Sequence, residues 1–377
     1  MRIAFDLRRI KNPGIGRYMK CLAEAVVEQA PQHEYLLILP PDAAQAVTVE
    51  SDRAEKLLSS IPYYSVREQV ALPLILRRQR IDVLHSPHFN LPLIRPCSTV
   101  VTIHDVIYLA CKGDMRTVLG RLYYHGMMAA SARLADRILT DSEYSKSDIV
   151  RYLNADPTKI EVIYPGVDPR FQPVQDEAAI ASVLSKYRVD ENYILYTGIY
   201  KPRKNHAGLL RAFHEFLRSG YKAKLVIAGP IGDGEKHLQE MAVQLGIAER
   251  VVFAGFVADS DLPALYSAAR VYACPSLYEG FGFTVLEAMA CGVPVVCSRA
   301  TSLPEVAGDA ALYADAQHPR EFADALGRAF SSIELREKLT SKGRHNCTRF
   351  RWDRAARNAL AAYHHAAGLP TEKAVCA

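Results

Sequence analysis

The sequence predicts an α/β chain of two doubly wound domains, and three observations carry that expectation. At 377 residues the chain is too long for one ordinary domain and comfortable for two of about 150–200 residues each. Short, nearly all-apolar runs bounded by Gly, Pro or Asp alternate with longer helical patterns. Strands of that kind, interleaved with helices, belong to parallel sheets covered on both faces. A proline-rich break near the middle then divides the alternation into two series.

In the first series, strands are expected at Arg2–Phe5, Tyr35–Leu39, Val83–His85, Thr99–Ile103, Arg137–Thr140 and Ile160–Ile163. Helical patterns such as Arg17–Gln29 and Arg116–Ala135 lie between them. The break follows in YPGVDPRFQPVQDEA, where Pro165, Pro169 and Pro173 favour an extended, helix-free connection and place a hinge near residues 165–190. The second series has strands at Tyr193–Thr197, Lys224–Ala228, Val251–Phe253, Val271–Ala273 and Pro294–Val296. Its helices include His206–Ser219, Lys236–Leu245, Asp261–Ser267, Phe283–Cys291 and Pro319–Phe330. A last helix, Phe350–Ala367, holds the sole tryptophan, Trp352. The expected limits are 1–170, 171–350 and a closing segment 351–377. Ligands of open α/β sheets bind outside the carboxyl ends of the strands, so the chemistry belongs on the loops that follow strands. The cleft between the two domains is the default site.

Composition narrows the partners. Hydrophobic residues make up 49% and charged residues 23%, the profile of a globular protein with a full core. The formal charge of +5, from 46 Lys and Arg against 41 Asp and Glu, is too small and too dispersed for nucleic-acid binding. Eight cysteines show no CxxC pair and no zinc-ligand spacing, which fits a reducing, cytoplasmic compartment. The start, MRIAFDLRRIKNPG, reads as strand and loop and not as a signal peptide, and no apolar stretch is long enough to span a bilayer. Arg77, Arg78 and Arg80 cluster, and Arg116, Arg121, Arg133 and Arg137 punctuate the next helical region. They are ordinary surface charge in most proteins, and they leave peripheral contact with an anionic membrane open.

The strongest motif is CPSLYEGFGFTVLEAMACGVPVV. A strand ends near Ala273, a glycine-rich loop follows with Glu279, Gly280 and Gly282, and a helix starts near Phe283 with Glu287 one turn in. Backbone N–H groups at a helix start attract phosphate oxygens, and glycine lets the backbone come close. A carboxylate at Glu287 is placed to accept two ribose hydroxyls, and Glu279 to face the other end of the same ligand. A bare pair of glutamates would more often be solvated helix-end charge. Lys204 and Arg203 follow a strand that ends in Gly198, and two cations on such a loop suit a diphosphate. His104 follows the strand Thr99–Ile103, where a lone histidine is ordinarily structural, and Asp105 beside it suits a turn cap. In PGIGRY, Gly14 and Gly16 lack the third glycine of a dinucleotide fingerprint because Met19 stands there. Arg17 nearby offers charge to an anionic acceptor, while an arginine at a helix start is commonly just solvated. Asp259-Ser260-Asp261 forms a D-x-D that reads better as a helix N-cap than as a metal site.

The EGFG core, the E-x7-E spacing and the trailing ACGVPVV resemble the family 4 glycosyltransferases, retaining enzymes of the GT-B fold. The likeness continues through SLPEVAGDAALYAD, YTGIYKPRKNH, VIYPGVD, TIHDV and NPGIGRY, in family order along nearly the whole chain. It implies two Rossmann-like domains facing across a cleft, with the donor mainly on the second and the terminal helix packed back on the first. It also implies a nucleotide-diphosphate sugar whose diphosphate meets Arg203, Lys204 and the backbone of Gly282, Phe283 and Thr284. The ribose falls to Glu287, the sugar to Glu279 and His104, and the loop at Gly16 approaches the donor phosphates. His104, Lys204 and Glu279 are then the catalytic set. Many members carry an arginine where this chain has Gly198 and Ile199, and Lys201 or Arg203 are the candidates to supply that charge. The resemblance implies no cofactor and no metal. Its nearest flavour is envelope polysaccharide synthesis, with GDP-mannose as the first donor, a UDP-sugar as the second, and a glycan or polyprenyl-linked glycan as acceptor. A non-catalytic nucleotide-sugar-binding protein and a dinucleotide oxidoreductase are the rival readings.

Overall fold

A computed structural model describes residues 1–12, 14–111, 117–189, 192–230, 232 and 234–370. The chain forms two compact units, one of Met1–Gly166 with the segment that begins at Phe350, the other of Val167–Arg349.

The first unit carries seven parallel strands: β1 (Arg2–Asp6), β2 (Glu34–Leu39), β3 (Ala54–Leu58), β4 (Val83–Ser86), β5 (Ser98–Thr102), β6 (Arg137–Thr140) and β7 (Ile160–Val162). Their order is β3-β2-β1-β4-β5-β6-β7, so the winding reverses between β1 and β4. Helices α1 (Ile15–Gln29), α2 (Val66–Arg78), α3 (Ile107–Ala110), α4 (Val118–Leu134) and α5 (Glu143–Leu153) connect them. In the second unit α6 (Glu177–Lys186) precedes six parallel strands: β8 (Tyr193–Thr197), β9 (Lys224–Ala228), β10 (Val251–Gly255), β11 (Val271–Cys274), β12 (Val295–Ser298) and β13 (Ala311–Ala314). The order β10-β9-β8-β11-β12-β13 reverses between β8 and β11. Its other helices are α7 (His206–Arg218), α8 (Gly234–Gln244), α9 (Leu262–Ser267), α10 (Phe283–Ala290), α11 (Leu303–Ala307), α12 (Pro319–Ser331) and α13 (Ile333–Cys347). The last helix, α14 (Trp352–Ala366), belongs to the first unit and packs against α1.

The all-apolar strands follow from burial on both faces. Ile3, Ala4 and Phe5 of β1 and Ile194 and Leu195 of β8 have no exposed surface. Helices contribute one apolar stripe each: Leu209, Leu210, Phe213 and Phe216 of α7 lie in the core of the second unit beside Phe322 and Leu326 of α12. Local chemistry starts several helices, since Ser65, Thr117, Ser142 and Asp176 each accept a first-turn backbone N–H.

Two expectations are corrected. The connection after Ile163 is helix-free only through its prolines: Asp176 caps α6, which occupies the second half of the stretch expected to be a hinge. The D-x-D is not a side-chain cap. Asp259 accepts from Arg170 Nη1 at 2.8 Å, and Asp261, though it stands at the start of α9, accepts from Lys186 Nζ and Tyr187 Oη at 2.7 Å each. Nearby cations outcompete the helix start for these carboxylates. Edge strands β3 and β13 had no counterpart in the sequence reading: each is short and paired on one side only, so polar residues such as Glu55 and Lys56 are tolerated. Arg116 and Cys376 lie outside the described residues.

Candidate functional site

In the second unit the loops after β8 and β11 flank the reversal point of the sheet, where diverging connections leave a crevice at the carboxyl ends. One loop carries Arg203 and Lys204, the other Glu279 to Gly282. Backbone ties them together, because Leu277 N donates to Arg203 O at 2.7 Å. Asn205 fixes the first loop by donating from Nδ2 to Ala316 O at 2.9 Å while its Oδ1 caps α7. The structure brings the side chains together. Lys204 Nζ lies 2.6 Å from Glu279 Oε1, and Arg203 Nη1 lies 3.8 Å from Glu279 Oε2.

Glu279 is a buried carboxylate, 7% exposed. Burial alone would raise its pKa, but Lys204 and Arg203, with hydrogen bonds from Lys204 and Ser276, hold it below the usual carboxylate range. Ser276 Oγ donates to the same Oε1 at 2.6 Å. The loop backbone is anchored from α11's side, where Thr301 Oγ1 accepts from Glu279 N and donates to Glu279 O, and Ser302 Oγ reaches Glu279 O and Phe281 O. Two cations beside one carboxylate leave the cluster net positive. Gly282 opens α10 at φ 110°, and a Cβ there would stand 2.9 Å from Leu303 Cδ2. Phe283 and Thr284 supply the first N–H groups of α10, which have no acceptor within the helix. Glu287 is buried one turn in and accepts from Tyr266 Oη at 3.1 Å; Tyr266 also shares a hydrogen bond with Thr197 Oγ1 at 2.7 Å.

In the first unit His104 follows β5 and Asp141 follows β6. His104 Nδ1 is 2.7 Å from Asp141 Oδ2, and Nε2 is 3.2 Å from Pro87 O. Both neighbours are acceptors, so the ring is suited to carrying two protons. Burial lowers the imidazole pKa, yet Asp141 foremost, then Asp105 and the Pro87 carbonyl, bring it above its ordinary value. Tyr18 meets the ring edge-on at 4.7 Å. Gly16 sits where a Cβ would lie 1.8 Å from Ile10 O, so the turn after β1 closes on itself only with glycine. Gly14 has φ 77° and open space around it, and Arg17 is half-buried.

Sequence reasoning missed Asp141, Ser276 and Thr301. Asp141 had a readable signal: it directly follows the apolar strand Arg137–Thr140, the same position that singled out His104 after its own strand. Ser276 and Thr301 act through contacts across the fold and carry none. No group of His, Cys, Asp and Glu able to hold a metal occurs among the described residues, nor does any helix there long and apolar enough to cross a membrane.

Residues 13–171 match the family model described as Glycosyltransferase Family 4, and residues 184–346 match that of Glycosyl transferases group 1. The chain is 32% identical to O-antigen chain mannosyltransferase B of Escherichia coli over 96% of its own length and 99% of that protein. It is also 32% identical to D-inositol 3-phosphate glycosyltransferase of Salinispora tropica, over 76% of this chain and 62% of that one. Among solved structures, HepE from Anabaena in complex with UDP-glucose superposes with a TM-score of 0.75 at 18% identity, covering 96% of this chain and 99% of that one, a likeness of fold.

Proposed function

This chain belongs to the family 4 glycosyltransferases, and from that premise we propose that it moves mannose from GDP-mannose to a glycan or polyprenyl-linked glycan in envelope polysaccharide synthesis. The observation that carries the reading is the set of Arg203, Lys204 and Glu279 gathered at the reversal point of one sheet. The direction toward mannose comes from the full-length relative, named an O-antigen chain mannosyltransferase.

The chemistry follows from charge. A departing nucleoside diphosphate gains negative charge as the glycosidic bond lengthens, and fixed cations stabilise that charge without having to reorganise. Lys204 and Arg203 supply them, Arg203 filling the place of the arginine that the family draws from the positions of Gly198 and Ile199. The first N–H groups of α10, at Gly282, Phe283 and Thr284, add partial positive charge. Glu279, whose Oε1 is engaged by Lys204 and Ser276, orients sugar hydroxyls and aligns Lys204, and the family resemblance assigns it that role in place of a nucleophile's. Following the same resemblance, we assign retention to a front-face reaction, in which the leaving phosphate takes the proton of the acceptor hydroxyl. Electrostatics from Lys204 and α10 stand in for a metal, and Asp259 and Asp261 are committed to Arg170 and Lys186. Glu287 holds the ribose, and the family resemblance assigns His104 and the Gly16 loop to the donor as well.

The acceptor argues for work at the cytoplasmic face of a membrane. Val66, Val70 and Leu74 recur every four residues along α2 and are 83%, 58% and 62% exposed, with Arg67, Arg77 and Arg78 exposed on the same helix. Apolar side chains flanked by arginines suit the headgroup region of an anionic bilayer.

Thermal unfolding with GDP, UDP, ADP and NAD tests the reading. A nucleotide at 100 times its dissociation constant adds about 2.7 kcal/mol, a shift of a few degrees. Stabilisation by GDP alone is expected. A shift with UDP alone would keep the class and replace the donor, and a shift with NAD alone would overturn the transferase reading.

A further inference from the structure

We propose that Tyr64, held by Arg9 and His88, and Tyr123 beside it form the subsite that receives the terminal pyranose ring of the acceptor. The inference rests on the glycosyltransferase reading and deepens it by naming where one substrate binds.

Position comes first. Arg9 lies on the loop after β1 and His88 on the loop after β4, the two strands between which the first sheet reverses. That is where open α/β sheets present their crevice. The sequence motifs do not reach this point. Tyr64 stands over it just before α2, and Tyr123 projects from α4.

The geometry is that of a built platform. Arg9 Nη1 donates to Tyr64 Oη at 2.7 Å, which leaves the hydroxyl proton for His88 Nε2, also 2.7 Å away. The Tyr64 ring lies nearly parallel to buried Phe89, with centroids 5.7 Å apart and an angle of 21°. Tyr123 meets Tyr64 at 87° with centroids 6.4 Å apart, so the two rings make a corner. Both are partly open, at 38% and 50%. Tyr64 holds φ at 60°, a left-handed conformation that a bulky residue keeps only where its surroundings enforce it, as happens at ligand clamps.

The chemistry favours a sugar. A pyranose presents an apolar C–H face and a rim of hydroxyls, and an aromatic corner edged by a guanidinium and a phenol offers both kinds of contact. An acyl chain would gain nothing from Arg9 or His88. The platform is also continuous with the reactive region of this unit: Pro87, whose carbonyl accepts from His104 Nε2, immediately precedes His88.

Methyl α-D-mannopyranoside is the probe, observed by saturation-transfer NMR with the full chain held saturated in GDP. Irradiation of aromatic protons is expected to transfer to the ring C–H protons. Tyr123→Ala should weaken binding roughly tenfold and Tyr123→Phe by less than about twofold, as expected for truncating or keeping one ring at a binding hot spot. Circular dichroism and the GDP-induced thermal shift should be unchanged in both variants. An alanine variant that binds like the wild type, or a wild type with no transfer from aromatic protons, overturns the proposal. If NAD alone stabilises the chain while the glycoside still binds at Tyr123, the transferase reading fails and the sugar platform stands.

Discussion

Lys204 and Glu279 share a 2.6 Å contact, and in the proposed reaction each acts through the other. Lys204→Ala removes the cation proposed to meet the leaving group and leaves a buried carboxylate with a weaker partner. We expect kcat for sugar transfer to fall about 10²–10³-fold, the range for losing one transition-state donor. The effect of Glu279→Gln should be strongly non-additive with it in a double-mutant cycle; independent, additive effects would refute the shared role. The His104–Asp141 pair makes a prediction in pH. Its raised imidazole pKa means the pair stabilises the fold fully below the ordinary histidine value of about 6.5, and that this contribution is lost as pH rises through the raised pKa. Urea midpoints measured across that range should fall toward alkaline pH in the wild type and flatten there in Asp141→Asn. Parallel curves for the two proteins would show that the imidazolium is not held by Asp141.

At the scale of elements, loops after strands carry the site and helices hold those loops still. The start of α10 depends on Gly282 at φ 110°. Gly282→Ala should cost about 1–3 kcal/mol through strain at a left-handed position. It should also weaken nucleotide binding, read together as a lower unfolding midpoint and a smaller GDP-induced shift. The docking of α14 depends on Tyr363, whose Oη lies 2.7 Å from His85 Nδ1 while His85 Nε2 meets Thr102 Oγ1 at 2.9 Å. Burial and His104 push the His85 pKa down to about 3, so the ring stays neutral and needs both partners. Tyr363→Phe leaves a buried ring nitrogen unpaired, at a cost of about 1–3 kcal/mol in a urea titration. An unchanged midpoint would mean that α14 is held by packing alone.

For the whole molecule, the two parallel sheets repeat one plan, and in each the winding reverses where candidate ligand groups gather: Arg9 and His88 in one, Lys204 and Glu279 in the other. In the proposed membrane contact the local pattern on α2, and not the small net charge of +5, would do the binding. Sedimentation with phosphatidylglycerol vesicles should show binding that weakens with salt. Val70→Asp with Leu74→Asp should reduce it at least about tenfold, since each buried side chain of this kind is worth about 1.5–3 kcal/mol. Equal binding by the variant would remove α2 from the contact.

By itself the sequence determined the architecture of each half, because apolar period and strand-helix alternation are local properties that burial on both faces imposes directly. It determined the family too, because EGFG, E-x7-E and KPRKN are contiguous strings. The Glu279 loop was legible as a candidate phosphate-type site from its glycines and its place after a strand. Tertiary structure alone decided which charges meet. Lys204 and Glu279 are 75 positions apart, Asp141 lies 37 from His104, and Tyr123 lies 59 from Tyr64, so no local pattern records their contact. The D-x-D shows the same limit: a helix start suggested a cap, and Arg170 and Lys186, brought in from before β8, claimed both carboxylates. Edge strand β3 escaped notice because with only one paired side it is released from the apolar rule that exposes the others. Periodicity reports which face of an element is buried, while partnership depends on where the backbone returns in space.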